Sequence, residues 1–439
     1  MSGQKKKAPP LRFSLPPTES SEGDRLSSAA DGRARTPAAP WVSKHFCEFA
    51  TLRRGLTYTP ADCRVKGVRV LRSSNISEAT FVLRDDDVFV SERAANIPFA
   101  KNGDILITAA NGSSHLVGKH ALIDGIGEKN AVHGGFMLLA ETNTPEFLDA
   151  TMSALWYKEF VAETMMGGNG ALGNLAKSAF DKCAFFAPQT ETEQRRIGSF
   201  FRTVDALIAG REKAIEKLEA LKKSMLLKMF PQGDALVPGI RFKGFEGEWK
   251  KQQLGKMVKR VTRKNSHLES ELPLTISAEH GLIDQYAFFN NRVAARDVSN
   301  YYLVMNGEFA YNKSTSDGSP FGVVKRLDRY PMGVLSTLYI VFALNDNTVD
   351  SEYLVRFFET FLWHADVSER AAEGARNHGL LNITPEDFFE TTIILPSSPL
   401  EQQKIGAYFR SLDALIAARR EEVEKLRQMK KALLERMFV

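Results

Sequence analysis

Pro188-Gln189-Thr190-Glu191-Thr192-Glu193-Gln194-Arg195-Arg196-Ile197-Gly198 opens a stretch that the chain repeats 208 residues later, with Pro396, Glu401-Gln402 and Ile405-Gly406 in register. The match continues through Asp205-Ala206-Leu207-Ile208-Ala209 and Asp413-Ala414-Leu415-Ile416-Ala417. Lys222-Lys223 then answers Lys430-Lys431, and Met229-Phe230 answers Met437-Phe438. About half of the aligned positions are identical and no gap is needed. A copy of this length at a fixed separation is the mark of a tandem duplication.

Each copy is predicted to be one long helix. Thr190 and Ser398 stand three residues before Glu193 and Glu401, the spacing of a capping box, and Pro399 suits a first helical turn. Apolar residues then recur at helical spacing, among them Ile197, Phe201, Ile208, Ile215, Leu218 and Met225 in the first copy. Ile405, Phe409, Ile416, Val423, Leu426 and Leu433 repeat them in the second. Arg211 and Arg419 interrupt the stripe, so no strict heptad is kept. Neither helix buries its apolar face alone, and the other copy is the available partner. Ile208, Ile215, Leu218, Met225, Ile416, Val423, Leu426 and Leu433 are the expected seam.

The chain has 439 residues, enough for two or three domains with a core in each. A net charge of +5 is compatible with nucleic acid without demanding it. Three distant cysteines suggest neither a disulfide framework nor a zinc site. No signal peptide and no apolar run of membrane length is present, so a cytoplasmic protein without a membrane role is expected.

Residues 1–40, rich in Ser, Pro, Ala and Arg, are expected to be largely disordered. Within them Pro9-Pro10-Leu11-Arg12-Phe13 resembles Pro238-Gly239-Ile240-Arg241-Phe242, and Trp41 matches Trp249. Residues 41–187 mix strand-like runs (Val68 to Leu71, Asp104 to Ile107, Phe136 to Leu139) with Gly- and Asn-rich turns and a helix from about Pro145 to Met166. Residues 249–395 follow the same plan: Gly307 answers Gly103, Gly322 answers Gly118, and a helix from about Ser351 to Glu369 answers the earlier one. Between these anchors the halves differ almost completely. Residues 188–232 and 396–439 are the long helices, and 233–248 a linker. If the second helix packs antiparallel to the first, Phe438 returns to Trp41 and a pseudo-twofold axis relates the halves. The expected fold is α+β: two similar α/β domains separated by a pair of long antiparallel helices.

Glu-Gln-x-x-Ile at a helix start after a short strand ending in Pro, doubled as Glu193 to Ile197 and Glu401 to Ile405, together with Pro238-Gly-Ile-Arg-Phe-x-Gly-Phe-x-Gly-x-Trp249, resembles the specificity subunit of type I restriction–modification systems. The resemblance covers nearly the whole chain after Trp41. It implies two target recognition domains, each reading one half of a split sequence in double-stranded DNA. It also implies helices that space them and dock two methyltransferase subunits, with translocating nuclease subunits joining for cleavage and phage defence. S-adenosylmethionine would belong to the methyltransferase, ATP and Mg to the nuclease, and no cofactor to this chain.

No catalytic or metal site can be assembled from the residues themselves. Gly168-Asn169-Gly170-Ala171-Leu172-Gly173 fits G-x-G-x-x-G, yet a helix precedes it where a strand is needed, so a Gly-rich loop is expected. Asp85-Asp86-Asp87 reads as a solvated turn. Base reading uses Arg, Lys, Asn, Ser and Thr, flanked by phosphate contacts. The candidates are Arg69, Arg72, Ser73, Ser74 and Asn75, then Asn111, Ser113, Ser114 and His115, in the first half. In the second they are Lys313, Ser314, Thr315 and Ser316, with Arg376, Asn377 and His378. The alternative from another class is a coiled-coil scaffold with two ligand-binding heads and no DNA role.

Overall fold

The computed structural model describes residues 40–128, 130–166, 174–291, 293–316, 318–345, 349–371 and 381–438. The N-terminal segment expected to be disordered, the glycine loop at 168–173, and Arg376, Asn377 and His378 lie outside them. The chain divides into two units. One holds residues up to Glu212 together with Glu421 onwards, and the other holds Lys213–Arg420. The division therefore cuts both long helices, the central helix Glu191–Met229 and the C-terminal helix Pro399–Met437.

The first unit is built on four strands, β1 (Ala50–Arg54), β2 (Ile105–Thr108), β3 (His120–Leu122) and β4 (Met137–Thr142), in the order β1-β4-β2-β3. The second repeats it with β5 (Val258–Arg260), β6 (Phe309–Asn312), β7 (Val323–Arg326) and β8 (Ile340–Leu344), in the order β5-β8-β6-β7. A short antiparallel pair precedes each long helix, Val42–His45 with Ala184–Ala187 and Lys250–Gln253 with Thr392–Leu395. Outside this frame the units part. The first adds a four-stranded sheet in which Ala131–His133 runs parallel to Val68–Leu71. The second adds a hairpin, Leu274–Ser277 with Gly281–Asp284, and a separate antiparallel pair, Tyr302–Met305 with Met332–Leu335.

The duplicated motifs have duplicated jobs. The Met-Phe that ends each helix is a plug. Phe438 packs on Trp41, Phe147 and Phe201 at ring separations of 5.7, 6.0 and 6.1 Å. Phe230 packs on Trp249, Tyr353 and Phe409 at 6.0, 5.5 and 6.5 Å. Phe201 belongs to the start of one helix and Phe438 to the end of the other, so the two helices run antiparallel within this unit. Phe409 and Phe230 repeat the arrangement in the second unit. Burying each phenyl ring contributes about 2–3 kcal/mol. Gln194 donates to the Pro188 carbonyl at 2.9 Å and accepts from Thr144 at 3.2 Å. Gln402 donates to the Pro396 carbonyl and accepts from the Asp350 N–H, both at 2.9 Å. The glutamine of Glu-Gln-x-x-Ile thus clamps a strand end to the start of a helix in the lobe. Gly198 and Gly406 let that helix cross closely, since a Cβ would lie 2.4 Å from Phe147 N or 2.5 Å from Glu352 Cβ.

Two local expectations change. The capping box closes on one side only: Thr190 accepts the Glu193 N–H at 3.3 Å, but the Glu193 carboxylate takes the Trp41 indole N–H at 3.1 Å. Glu401 is likewise diverted, to Arg241 at 2.6 and 2.8 Å. The half-buried Glu193 and the buried Glu401 each gain more from a distant indole or charged donor than from their own N-cap. The helices expected from about Pro145 to Met166 and Ser351 to Glu369 each break in two, as Pro145–Met152 with Leu155–Met166 and Ser351–Phe358 with His364–Arg370. At the breaks the Ser153 and Thr360 hydroxyls bond back to the carbonyls of Asp149 and Phe357, competing with helix continuation.

Candidate nucleic-acid interface

In the first unit, three loops meet at one end of the β1-β4-β2-β3 sheet. The Gly134 N–H donates to the Leu71 carbonyl at 2.9 Å, joining the turn before β4 to the 3-10 turn Ser73–Asn75. The Ala109 and Ala110 N–H groups donate to the Phe136 carbonyl at 2.9 and 3.0 Å. Asn111 Nδ2 donates to Ser73 Oγ at 3.0 Å, so the two segments chosen from sequence are bonded to each other. Ser113 Oγ and His115 Nδ1 lie 2.8 Å apart at the exposed tip, beside exposed Ser114.

Not every polar residue there faces outward. Asn75 is fully buried. It donates to the Val82 carbonyl and Asp87 Oδ1 at 3.0 and 2.8 Å and accepts the Arg72 N–H at 2.8 Å. Arg69 is bonded to Asp87 and lies 4.7 Å over the Phe89 ring. Asp87 is therefore a buried anchor and not part of a solvated turn, while Asp85 and Asp86 are exposed. Arg69 and Asn75 hold the loop in shape, and the Ser74 hydroxyl and Arg72 Nε are buried within it, whereas Ser114 and His115 are exposed and Ser73, Asn111 and Ser113 half-buried.

The second unit places Lys313, Ser314, Thr315 and Ser316 directly after β6. Asn312 Oδ1 accepts the Ser314 N–H at 3.0 Å, and Ser319 N–H donates to the Ser316 carbonyl at 2.9 Å. Lys313 Nζ is bonded to the Ile383 carbonyl at 3.3 Å, tying the loop to the segment beside it.

Sequence reasoning missed one feature of both surfaces. Phe136 is 75% exposed and Leu338 is 65% exposed. They are equivalent: each stands two residues before the strand residue that opposes Ile107 or Tyr311, themselves four residues past Gly103 and Gly307. Single exposed apolar residues need no explanation. An exposed apolar side chain kept at one register in two otherwise divergent loop sets does. The signal available in sequence was a large apolar residue in the turn just before each central strand.

Beneath this surface, burial holds His133 at about 4, and its Nε2 lies 3.2 Å from the Arg53 carbonyl. The folded value is depressed, so the stabilisation is complete above the ordinary pKa near 6.5 and is lost as pH falls towards 4. The loss amounts to about 3 kcal/mol. We expect thermal unfolding of the first unit to shift downward across that window, and a His133→Gln variant to show a flatter profile.

The expected seam residues divide between the units. Ile208 and Val423 are buried in the first, Ile215 and Ile416 in the second. Leu426 and Leu433 are half-buried in the first, Leu218 and Met225 in the second. Among the described residues no group of three or more His, Cys, Asp or Glu is placed to hold a metal, and no helix is long and apolar enough to cross a membrane.

Two duplicated lobes of mixed strand and helix, each closed by the starts and ends of paired long helices, define a two-lobed fold that is known from solved structures. The S subunit of a type I restriction–modification system from M. genitalium is similar at a TM-score of 0.56 and 12% identity, covering 92% of this chain and 97% of that chain. A chain described under complex assembly and conformational transition of the type I R-M system gives 0.49 at 15% identity over 91% and 97%. The HsdS subunit from Thermoanaerobacter tengcongensis gives 0.40 at 16% over 93% and 98%. No protein-family model and no curated protein matches the sequence. The first of these likenesses establishes that the chain has the fold of an S subunit, which is the fold expected from its duplicated motifs.

Proposed function

We propose that the chain is the DNA-recognition subunit of a type I restriction–modification assembly. Each lobe reads one half of a split duplex target, and the chain itself carries no catalytic centre. The observation that supports this most is the pairing of one scaffold shared by both units with two unlike loop sets at the same sheet end, each with an exposed apolar residue (Phe136 or Leu338). Polar loop side chains suit base edges, and an apolar wedge suits insertion at a base step.

The helix pair supports the partner half of the proposal. Leu207 and Leu415 are equivalent and exposed, as are Leu221 and Met429. In the first unit Leu207 and Met429 belong to the stretch of the two helices joined by the Asp205–Lys430 and Glu212–Arg427 ion pairs. In the second, Leu221 and Leu415 belong to the stretch joined by Lys222–Asp413 and Glu219–Arg420. Each unit thus carries the same pair of exposed apolar positions on its helices, which suits two copies of one partner. We assign these positions to two methyltransferase subunits, which would bring S-adenosylmethionine. A translocating nuclease subunit would bring ATP and Mg.

A scaffold without a DNA role is separated from this reading by salt. With about six phosphate contacts, duplex affinity should fall on the order of a thousandfold between roughly 50 and 200 mM salt. A change below about threefold would favour the scaffold.

A further inference from the structure

The two long helices are near-copies with an apolar seam of matching residues, so the seam alone does not tell a central helix from a C-terminal one. The charged rungs beside it do. In the first unit Glu212 bonds Arg427 at 2.7 Å, and in the second Glu219 bonds Arg420 at 2.7 Å. By the repeat, Glu212 is equivalent to Arg420 and Glu219 to Arg427. Both positions are glutamate on the central helix and both are arginine on the C-terminal helix. A second pair of rungs behaves differently. Asp205–Lys430 at 2.5 Å and Lys222–Asp413 at 2.7 Å join positions that are the same in both copies.

The consequence follows from placing each helix against its own kind in this antiparallel register. Two central helices would keep both Asp–Lys rungs but set Glu212 against Glu219 twice. Two C-terminal helices would set Arg420 against Arg427 twice. The Asp–Lys rungs fix direction and register for any pairing, the Arg211–Glu422 pair at 3.5 Å has no counterpart between two central helices because Ala214 stands where Glu422 does, and the Glu–Arg rungs are what sets two central helices against each other. Each arginine also reaches a carboxylate in its own lobe, Glu78 from Arg427 and Glu279 from Arg420, both at 3.6 Å.

The geometry points to an address carried by Glu212, Glu219, Arg420 and Arg427, by which the central helix accepts a C-terminal helix and refuses a second central helix. The surface has one fitting partner, the complementary copy. Like-with-like pairing between chains, the hazard of any duplicated helix, is selected against, and every helix pair therefore joins one central helix to one C-terminal helix.

The test uses three full-length variants: E212R/E219R, R420E/R427E and all four exchanges together. Each two-site variant faces like charge with like charge on both rungs, and its thermal midpoint at low salt should fall by roughly 3–6 °C. The four-site exchange should regain at least half of that loss, the remainder being repulsion of the new glutamates from Glu78 and Glu279. When the two two-site variants are unfolded, mixed and refolded, native mass spectrometry should show mixed dimers exceeding like dimers at least tenfold. If no dimers form, the melting comparison alone decides. A four-site variant melting no higher than the two-site variants, or mixed and like dimers in the statistical one-to-one ratio, overturns the address.

Discussion

Replacing Arg241 with alanine is expected to destabilise the second unit by about 3 kcal/mol, because it strands a carboxylate that water barely reaches. Glu401 is 1% exposed, and Arg241 reaches both of its oxygens, at 2.6 and 2.8 Å. The same guanidinium donates to the Gly247 carbonyl at 2.6 Å, and the Ile240 N–H donates to the Lys228 carbonyl at 2.8 Å. One side chain therefore fastens the segment between the central helix and Trp249 to the start of the C-terminal helix. Denaturant unfolding followed by Trp fluorescence measures the loss. An R241M/E401M pair should recover most of it, since the cost lies in the unpaired charge and not in the missing packing. Recovery would fail if the pair's geometry, and not its charge balance, were what stabilised the unit.

The second large effect concerns the wedge positions. Phe136→Ala and Leu338→Ala should each weaken binding to a duplex carrying the chain's own methylated motif by roughly 10- to 100-fold. Both side chains are mostly exposed, so folding should be unaffected. The salt dependence separates this from phosphate loss: removing an apolar contact lowers affinity at every salt concentration and leaves the slope unchanged. A reduced slope would move these residues out of the base stack and make the change one of backbone positioning.

Much of the fold was legible because duplication makes local signals confirm one another. The long helices could be bounded from Glu-Gln at one end and Met-Phe at the other, since each motif turned out to perform a packing task that the repeat performs twice. The strand at Val68–Leu71 was legible from β-branched alternation. What failed were features set by distant partners. Glu193 and Glu401 looked like capping residues because the indole of Trp41 and the guanidinium of Arg241 lie 152 and 160 residues away. The loop at 72–75 was found, yet Arg69 and Asn75 could not be told from outward-facing neighbours. Their orientation depends on Asp87, whose burial is a tertiary fact. Phe136 and Leu338 went unnoticed for the converse reason: a large apolar residue beside a strand reads as core until its exposure is seen.

The proposed role requires each lobe to read its own half of the target. Exchanging residues 55–187 for the equivalent segment of another S-type chain, in cells that also make the methyltransferase subunits, tests it most directly by long-read methylation mapping. One half of the methylated motif should change while the other half stays as it was. Alteration of both halves, or of neither, would contradict it.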